Sequence, residues 1–346
     1  MDGLFAPKGD RSLKGLSAVV TGGSRGLGLL VADRLLARGC AVTIAARDEE
    51  ELERARGQLL RDHPEGSVRA VRCDVTDRGQ VTALMREAAA AHGGLDVAVA
   101  NAGIIQVAPL DALGPEDFAA AAETIFMGAV HTSLEALPWL RRSPAGGRLG
   151  LIGSVGGLVA APHLLPYSCA KSAVAALAEG LHAELAGSGV SVTAVHPGLM
   201  RTGSHLAAEF GGQREKEFGW FSAAAGSPLL SMDARRAAER VVSSLERRRI
   251  RVVLTPAARA ADLGHGVAPR LTARVGALAA RALPTAPPDG EAAAQAAGRD
   301  VEAAADRGLH PVLRRARSWA AALNDRASGR LNQRRASSGG AKGSPA

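Results

Sequence analysis

Ser17-Ala-Val-Val-Thr21-Gly22-Gly23-Ser24-Arg25-Gly26-Leu27-Gly28 stands near the start of a chain of 346 residues. Ser17–Val20 is an apolar run of strand length. A glycine-rich turn follows it, and then a helix-length segment over 27–38. Strand, turn and helix in that order form a phosphate cradle. Glycines let the backbone approach the ligand, and the helix N-terminus offers free N–H groups at the positive end of its dipole. The spacing is Thr-Gly-x-x-x-Gly-x-Gly, one residue longer between glycines than G-x-G-x-x-G. What gives the turn its weight is the strand before it and the helix after it.

The same rhythm continues outward. Apolar runs of strand length recur at Ala41–Ala45, Val68–Cys73, Val97–Ala100, Arg148–Gly153, Val190–Val195 and Arg251–Leu254. Amphipathic segments fill the gaps near 48–61, 77–91, 115–140, 167–187 and 233–247. Alternating strands and helices predict an α/β fold, a doubly wound, Rossmann-like parallel sheet of about seven strands in one domain. The expected organisation is a flexible leader over 1–13 and a dinucleotide-binding catalytic domain over 14–255. A helical C-terminal extension over 256–326, broken near 283–290, and a disordered basic tail over 327–346 complete it. Gly198 to Met232 lacks clear periodicity, as expected of a lid or a partly helical insertion.

Special residues fall at the predicted C-terminal ends of the central strands, the edge where open α/β sheets bind ligands. Cys73-Asp74-Val75 ends the third strand, where a carboxylate can accept from an adenine amino group. Asn101-Ala102-Gly103 ends the fourth, and Pro197-Gly198 the sixth, with Thr202 shortly after. Ser154 closes the run Leu149-Gly-Leu-Ile-Gly153. Tyr167, the single tyrosine, precedes Lys171 by one helical turn, so phenol and ammonium share a face. A free phenol has a pKa of about 10, and a nearby cation is expected to lower it. A hydroxyl, a phenol and an ammonium together suit proton transfer at a carbonyl oxygen.

Hydrophobic residues make up 47% of the chain, as in a globular protein. Of the formal net charge of +8, all but one unit lies between Val312 and Ala346, so the body is nearly neutral. That tail lacks interleaved aromatics, and no nucleic-acid partner is expected. There is no signal-like opening and no apolar run of about 18 residues, which predicts a cytoplasmic protein. The three cysteines, Cys40, Cys73 and Cys169, have no metal-ligand spacing, and no metal is expected. His163 and His196 read as structural residues. Segment Val267–Leu283 carries Arg270 and Arg274 on one face and Leu271, Val275 and Leu278 on another. Packing on the domain or a second subunit is expected there, with membrane-surface contact as the alternative.

On these motifs the chain resembles the short-chain dehydrogenase/reductase family over roughly residues 14–255. The resemblance implies an NAD(P)-dependent oxidoreductase acting on a small-molecule carbonyl or alcohol. Tyr167 would be the general acid/base, Ser154 would orient the carbonyl, and Lys171 would hold the nicotinamide ribose and lower the Tyr167 pKa. The implied cofactor-binding set is Thr21, Gly22, Ser24, Arg25, Gly26, Leu27 and Gly28, then Arg47, Asp74, Val75, Asn101, Ala102 and Gly103. Tyr167, Lys171, Pro197, Gly198 and Thr202 complete it. Helices 115–140 and 167–187, with small residues such as Ala173, Ala175, Ala176 and Ala178, would pair subunits into a homodimer or homotetramer.

Two positions refine the expectation. The second strand ends Ala45-Ala46-Arg47, with no carboxylate to receive a ribose 2′-hydroxyl, and Arg25 lies within the turn. Two guanidiniums near one phosphate favour NADP over NAD. The family usually places an asparagine that holds a relay water where this chain has Ile125; the neighbouring Thr124 would face elsewhere on a helix. The alternative function is therefore a catalytically weak dinucleotide-binding scaffold or sensor. Finally, Phe210, Phe218, Trp220 and Phe221 cluster after Pro197-Gly198. As a lid they predict a medium or large apolar substrate; as packing they would predict nothing about it.

Overall fold

The computed structural model describes residues 12–227, 230–286, 295–307 and 327–333. Seven strands form the central sheet: β1 (Ser17–Thr21), β2 (Ala41–Ala46), β3 (Val68–Arg72), β4 (Val97–Ala100), β5 (Arg148–Ile152), β6 (Ser191–His196) and β7 (Arg251–Val253). Their order is β7-β6-β5-β4-β1-β2-β3, and every pair is parallel. Between β1 and β4 the winding reverses. A crevice opens at such a switch point outside the carboxyl ends of the strands.

Alternation along the strands divides the core into two layers. Ala18, Val20, Val42, Ile44, Val97 and Val99 face α1 (Gly26–Leu36), α2 (Glu49–Asp62) and α8 (Ala234–Glu246). Val19, Ala98, Ala100, Leu149 and Leu151 face the other way, towards α3 (Arg78–His92), α5 (Gly128–Leu140) and α6 (Leu165–Glu184). The first turns of α2, α3 and α8 are fixed by Asp48, Asp77 and Asp233, whose carboxylates accept backbone N–H groups. The stretch expected as one helix over 115–140 is α4 (Pro115–Ala121), a π-helical run Ala122–Met127, and then α5. The segment after β6 folds into short strands and α7 (Arg214–Gly226).

The ends of the chain depart from expectation. Leu13, assigned to a flexible leader, is buried in the core, and Cys40 Sγ donates to its carbonyl. An apolar side chain beside β2 gains more from burial than the leader's overall composition suggests. The rest of that leader, residues 1–11, lies outside the described residues. Helices α9 (Pro256–Val267), α10 (Pro269–Ala280) and α11 (Gly298–Arg307) form the extension. In α9 and α10, Leu263, Val267, Leu271, Val275 and Leu278 are exposed, so the apolar face expected to pack on the domain does not do so among the described residues. Of the tail expected to be disordered, Ala327–Gln333 forms a helical turn with Leu331 in the core. One leucine anchors a stretch whose average polarity hides it. Residues 334–346 lie outside the described residues.

Candidate active site

The glycine turn is held by close contacts. Gly22 and Gly26 have φ of 64° and 56°, where a side chain is strained. A Cβ on Gly28 would stand 2.1 Å from the Gly22 carbonyl oxygen and 2.5 Å from Asn101 Nδ2. That nitrogen donates to the Thr21 and Gly22 carbonyls, both at 3.0 Å. Thr21 Oγ1 accepts from the Asn101 amide at 3.1 Å. Thr21 and Asn101 therefore stitch β4 to the turn, and the donors of the Asn101 side chain are spent on protein carbonyls.

On the far side of the crevice, the turn after β5 meets α6. Ser154 is 9% exposed, and its Oγ accepts from the Gly156 amide at 3.0 Å. A Cβ on Gly157 would lie 2.5 Å from the Lys171 carbonyl carbon, so only glycine lets this turn approach α6. That approach brings Ser154 against Tyr167, with a hydrogen bond between their side chains. Pro166 stands in the first turn of α6, where its missing N–H costs nothing, and Tyr167 and Lys171 follow on one face. Lys171 Nζ lies 5.8 Å from the Tyr167 ring centre and donates to the Ile152 carbonyl at 2.6 Å.

The electrostatics differ from the sequence expectation. Burial pushes the Tyr167 phenol above its ordinary value, and the Ser154 hydrogen bond offsets this only in part. Burial also brings Lys171 down to about 8. Desolvation is therefore the larger influence on the phenol, which is kept in its protonated form. His196, at the end of β6, is buried and pushed down to about 4, chiefly by burial, so it is neutral at pH 7.

One groove of about 430 Å³ runs from Arg47 and Asp74 across the glycine turn to Ser154, Tyr167 and Lys171. Every predicted site residue lines it except Thr21, which lies buried beneath the turn. Asp74 also orders its own loop, accepting from the Thr76 amide at 3.0 Å and the Thr76 hydroxyl at 2.9 Å. Thr202 is buried at the opposite wall.

A dinucleotide fits this set of groups. Backbone approach is open at the glycines, a helix end faces the groove, and Asp74 stands at the Arg47 end. Among the described residues, no group of three or more His, Cys, Asp or Glu side chains is placed to hold a metal ion. The sequence model for short chain dehydrogenases matches residues 17–209, more than half of the chain. The chain belongs to the short-chain dehydrogenase family.

Relatives and solved structures agree with that membership. Oxidoreductase BOA17 of Botryotinia fuckeliana (strain B05.10) is 36% identical over 183 residues, which are 53% of this chain and 65% of that protein. An uncharacterized oxidoreductase of Staphylococcus aureus (strain N315) is 32% identical over 54% of this chain and 78% of its own. A solved structure from Sinorhizobium meliloti 1021, titled as a short-chain alcohol dehydrogenase, superposes with a TM-score of 0.63. It is 26% identical and covers 72% of this chain and 99% of its own. A short-chain type dehydrogenase/reductase from Mycobacterium marinum gives 0.60 at 25% identity, over 71% and 95%.

Several parts of this short-chain dehydrogenase were misread or missed in the sequence. Ile125 is buried, and its Cγ1 lies 3.6 Å from where a Gly103 Cβ would be, beside Lys171. Thr124, expected to face elsewhere, lines the groove, because the π-helical run changes the register of that turn. Arg25 is not a free cation. Its Nη1 pairs with Glu51 at 3.1 Å, and Ser24 Oγ donates to the same carboxylate. Glu51 itself was missed, since a carboxylate in the first turn of an acidic helix start reads as a capping charge.

Phe210, Phe218 and Phe221 do not line the groove. They are buried with Val107, Ala208 and Val301 in a satellite core, in tilted edge-to-face pairs. Trp220 Nε1 donates to Glu217 Oε2 at 2.6 Å, and His163 Nδ1 lies 3.0 Å from both Glu217 oxygens. This locks α7 to the loop before Tyr167. Their spacing alone could not separate a lid from a small core.

Among the described residues, no helix is long and apolar enough to cross a membrane.

Proposed function

We propose that this short-chain dehydrogenase is an NADP-dependent oxidoreductase interconverting a carbonyl and a secondary alcohol. The observation that carries the proposal is the convergence of Ser154, Tyr167 and Lys171 at one end of the groove whose other end holds the glycine turn. A bound nicotinamide would supply or accept the hydride. Ser154 Oγ orients the substrate oxygen. Tyr167, kept protonated by burial, donates its proton to that oxygen in the reductive direction and recovers it in the reverse. Lys171 places a positive charge beside the ring at neutral pH, and that charge is lost as pH rises through about 8.

The preference for NADP rests on Arg47, which lines the groove where β2 ends in the neutral Ala46. Arg25 contributes less than a free guanidinium would, since Glu51 neutralises it. Ile104, Ile105, Ile152 and Met200 also line the groove, which supports an apolar substrate without help from the aromatic cluster. Pairing of subunits through α5 and α6 belongs to the same proposal; on α6, Ala176 is exposed while Ala175 and Ala178 pack inward. The alternative, a weakly active dinucleotide-binding scaffold, takes its support from Ile125. A screen of ketones and alcohols with NADPH, NADH and their oxidised forms, followed at the reduced-nicotinamide absorbance, separates the two. Cofactor binding without turnover on any substrate would favour the scaffold.

A further inference from the structure

Ala327–Gln333 lies at the far end of the chain yet sits on the glycine turn. Asn332 is 308 residues from Ser24, and its Nδ2 donates to the Ser24 and Glu51 carbonyls at 2.9 Å each. Arg54 Nε donates to Asn332 Oδ1 at 3.2 Å, and Gln58 Nε2 donates to the Arg330 carbonyl at 3.2 Å. Leu331 is buried in the core layer of α1 and α8. Ser328 is buried against Gly203, where a Cβ would come within 2.5 Å of it. Asn332 holds a φ of 57°, a conformation that asparagine tolerates better than most residues. These contacts fix the segment across the groove, from the loop after β6 to α2.

The anchoring groups leave one side chain uncommitted. Gln333 is 8% exposed and lines the groove, and its Oε1 is buried with no hydrogen-bond partner among the described residues. Its Nε2 lies 3.0 Å from where a Cβ on Gly26 would be, directly over the start of α1. A phosphate has no proton to offer Oε1, so it is the Nε2 end, over the start of α1, that can serve an anion. A carboxamide carries two N–H donors and can present them to an anion. We propose that Ala327–Gln333 is a wall of the cofactor groove, and that Gln333 is a further contact for the bridging phosphates of the dinucleotide. This rests on the reading of the groove as a dinucleotide site.

A competing segment would fill the groove instead of walling it. The Leu331 carbonyl does accept the Gly26 amide at 3.0 Å, which takes one donor of the helix end. The amides of Leu27 and Gly28 come next at that end, and neither has a partner one turn back in the helix. With the segment seated, the groove still runs open from Arg47 to Tyr167 at about 430 Å³. Gln333 replaces the lost donor with its own.

Calorimetric titration of NADPH and NADH tests this on five forms: the full chain, Gln333→Ala, Gln333→Glu, a chain ending at Gln333 and a chain ending at Arg326. Gln333→Ala should weaken the better cofactor about tenfold or more, as expected for one hydrogen bond to a charged group. Gln333→Glu should weaken it further, because a carboxylate of the same size repels phosphate. The chain ending at Gln333 should bind like the full chain, and the chain ending at Arg326 should lose at least as much as Gln333→Ala. Equal affinity in all five forms, or tighter binding once the segment is removed, overturns the proposal. So does a loss already complete in the chain ending at Gln333, which would assign the effect to the basic tail. If the full chain binds neither cofactor, the dinucleotide reading of the groove fails instead.

Discussion

The inner and outer walls of the groove are built in different ways. The inner wall is the carboxyl edge of β1, β4, β5 and β6, carrying the glycine turn, Asn101-Ala102-Gly103, Ser154 and Pro197. Each residue there is placed by the strand it ends, within a few positions of sequence. The outer wall is assembled from Met200, Ala207, Ala208, Arg299 and Gln333, which come from the insertion, α11 and the C-terminal turn. There, position depends on packing between segments far apart in the chain. The inner wall holds Ser154, Tyr167 and Lys171 on a rigid frame, whereas the residues of the outer wall also hold one another in place.

The largest expected effect tests the inner wall. Tyr167→Phe keeps the ring and removes the proton. Turnover should fall about 10²–10⁴-fold, the usual contribution of general acid–base catalysis, while NADPH affinity and melting temperature stay near those of the parent. Near-normal turnover would break the assignment of Tyr167 as the proton donor.

Phe218→Ala tests the packing of the small core behind the outer wall. The ring is 1% exposed and packs on Phe210 and His205. Its truncation should cost about 3–5 kcal/mol of stability, read as a lower midpoint in urea. KM for a bulky ketone should move little, since the ring is not at the groove. A large rise in KM with unchanged stability would restore the lid interpretation of these aromatics.

Arg47→Asp probes the end of the groove proposed to hold the 2′-phosphate. Loss of the guanidinium and gain of a carboxylate should weaken NADPH by about tenfold or more. NADH should lose less or gain. If the parent protein already prefers NADH, Arg47 does not read the 2′-phosphate.

The smallest effect belongs to the floor beneath the inner wall. Folded His196 resists protonation until about pH 4, whereas the unfolded residue takes up a proton near its ordinary value of about 6.5. Between these values the unfolded state binds more protons, so stability contributed by neutral His196 is lost as pH falls from about 6.5 towards 4. The melting temperature should decline over that window, and less steeply in His196→Asn. Equal slopes would show that other groups govern the acid limb.

The local sequence determined the α/β rhythm, the strand ends and the identity of Ser154, Tyr167 and Lys171. Strand periodicity and short spacing act over a few residues, and so they can be read without the rest of the chain. The same holds for the glycine turn, where a Cβ on Gly28 has no room. Only the tertiary structure decided that Arg25 is paired with Glu51, that burial raises the Tyr167 phenol, and that a π-helical run turns Thr124 to the groove. It also decided that four clustered aromatics belong chiefly to a small core, and that Leu331 draws Gln333 onto the cradle. Ion pairing, desolvation and packing are properties of groups brought together from distant positions, and no window of sequence contains both partners.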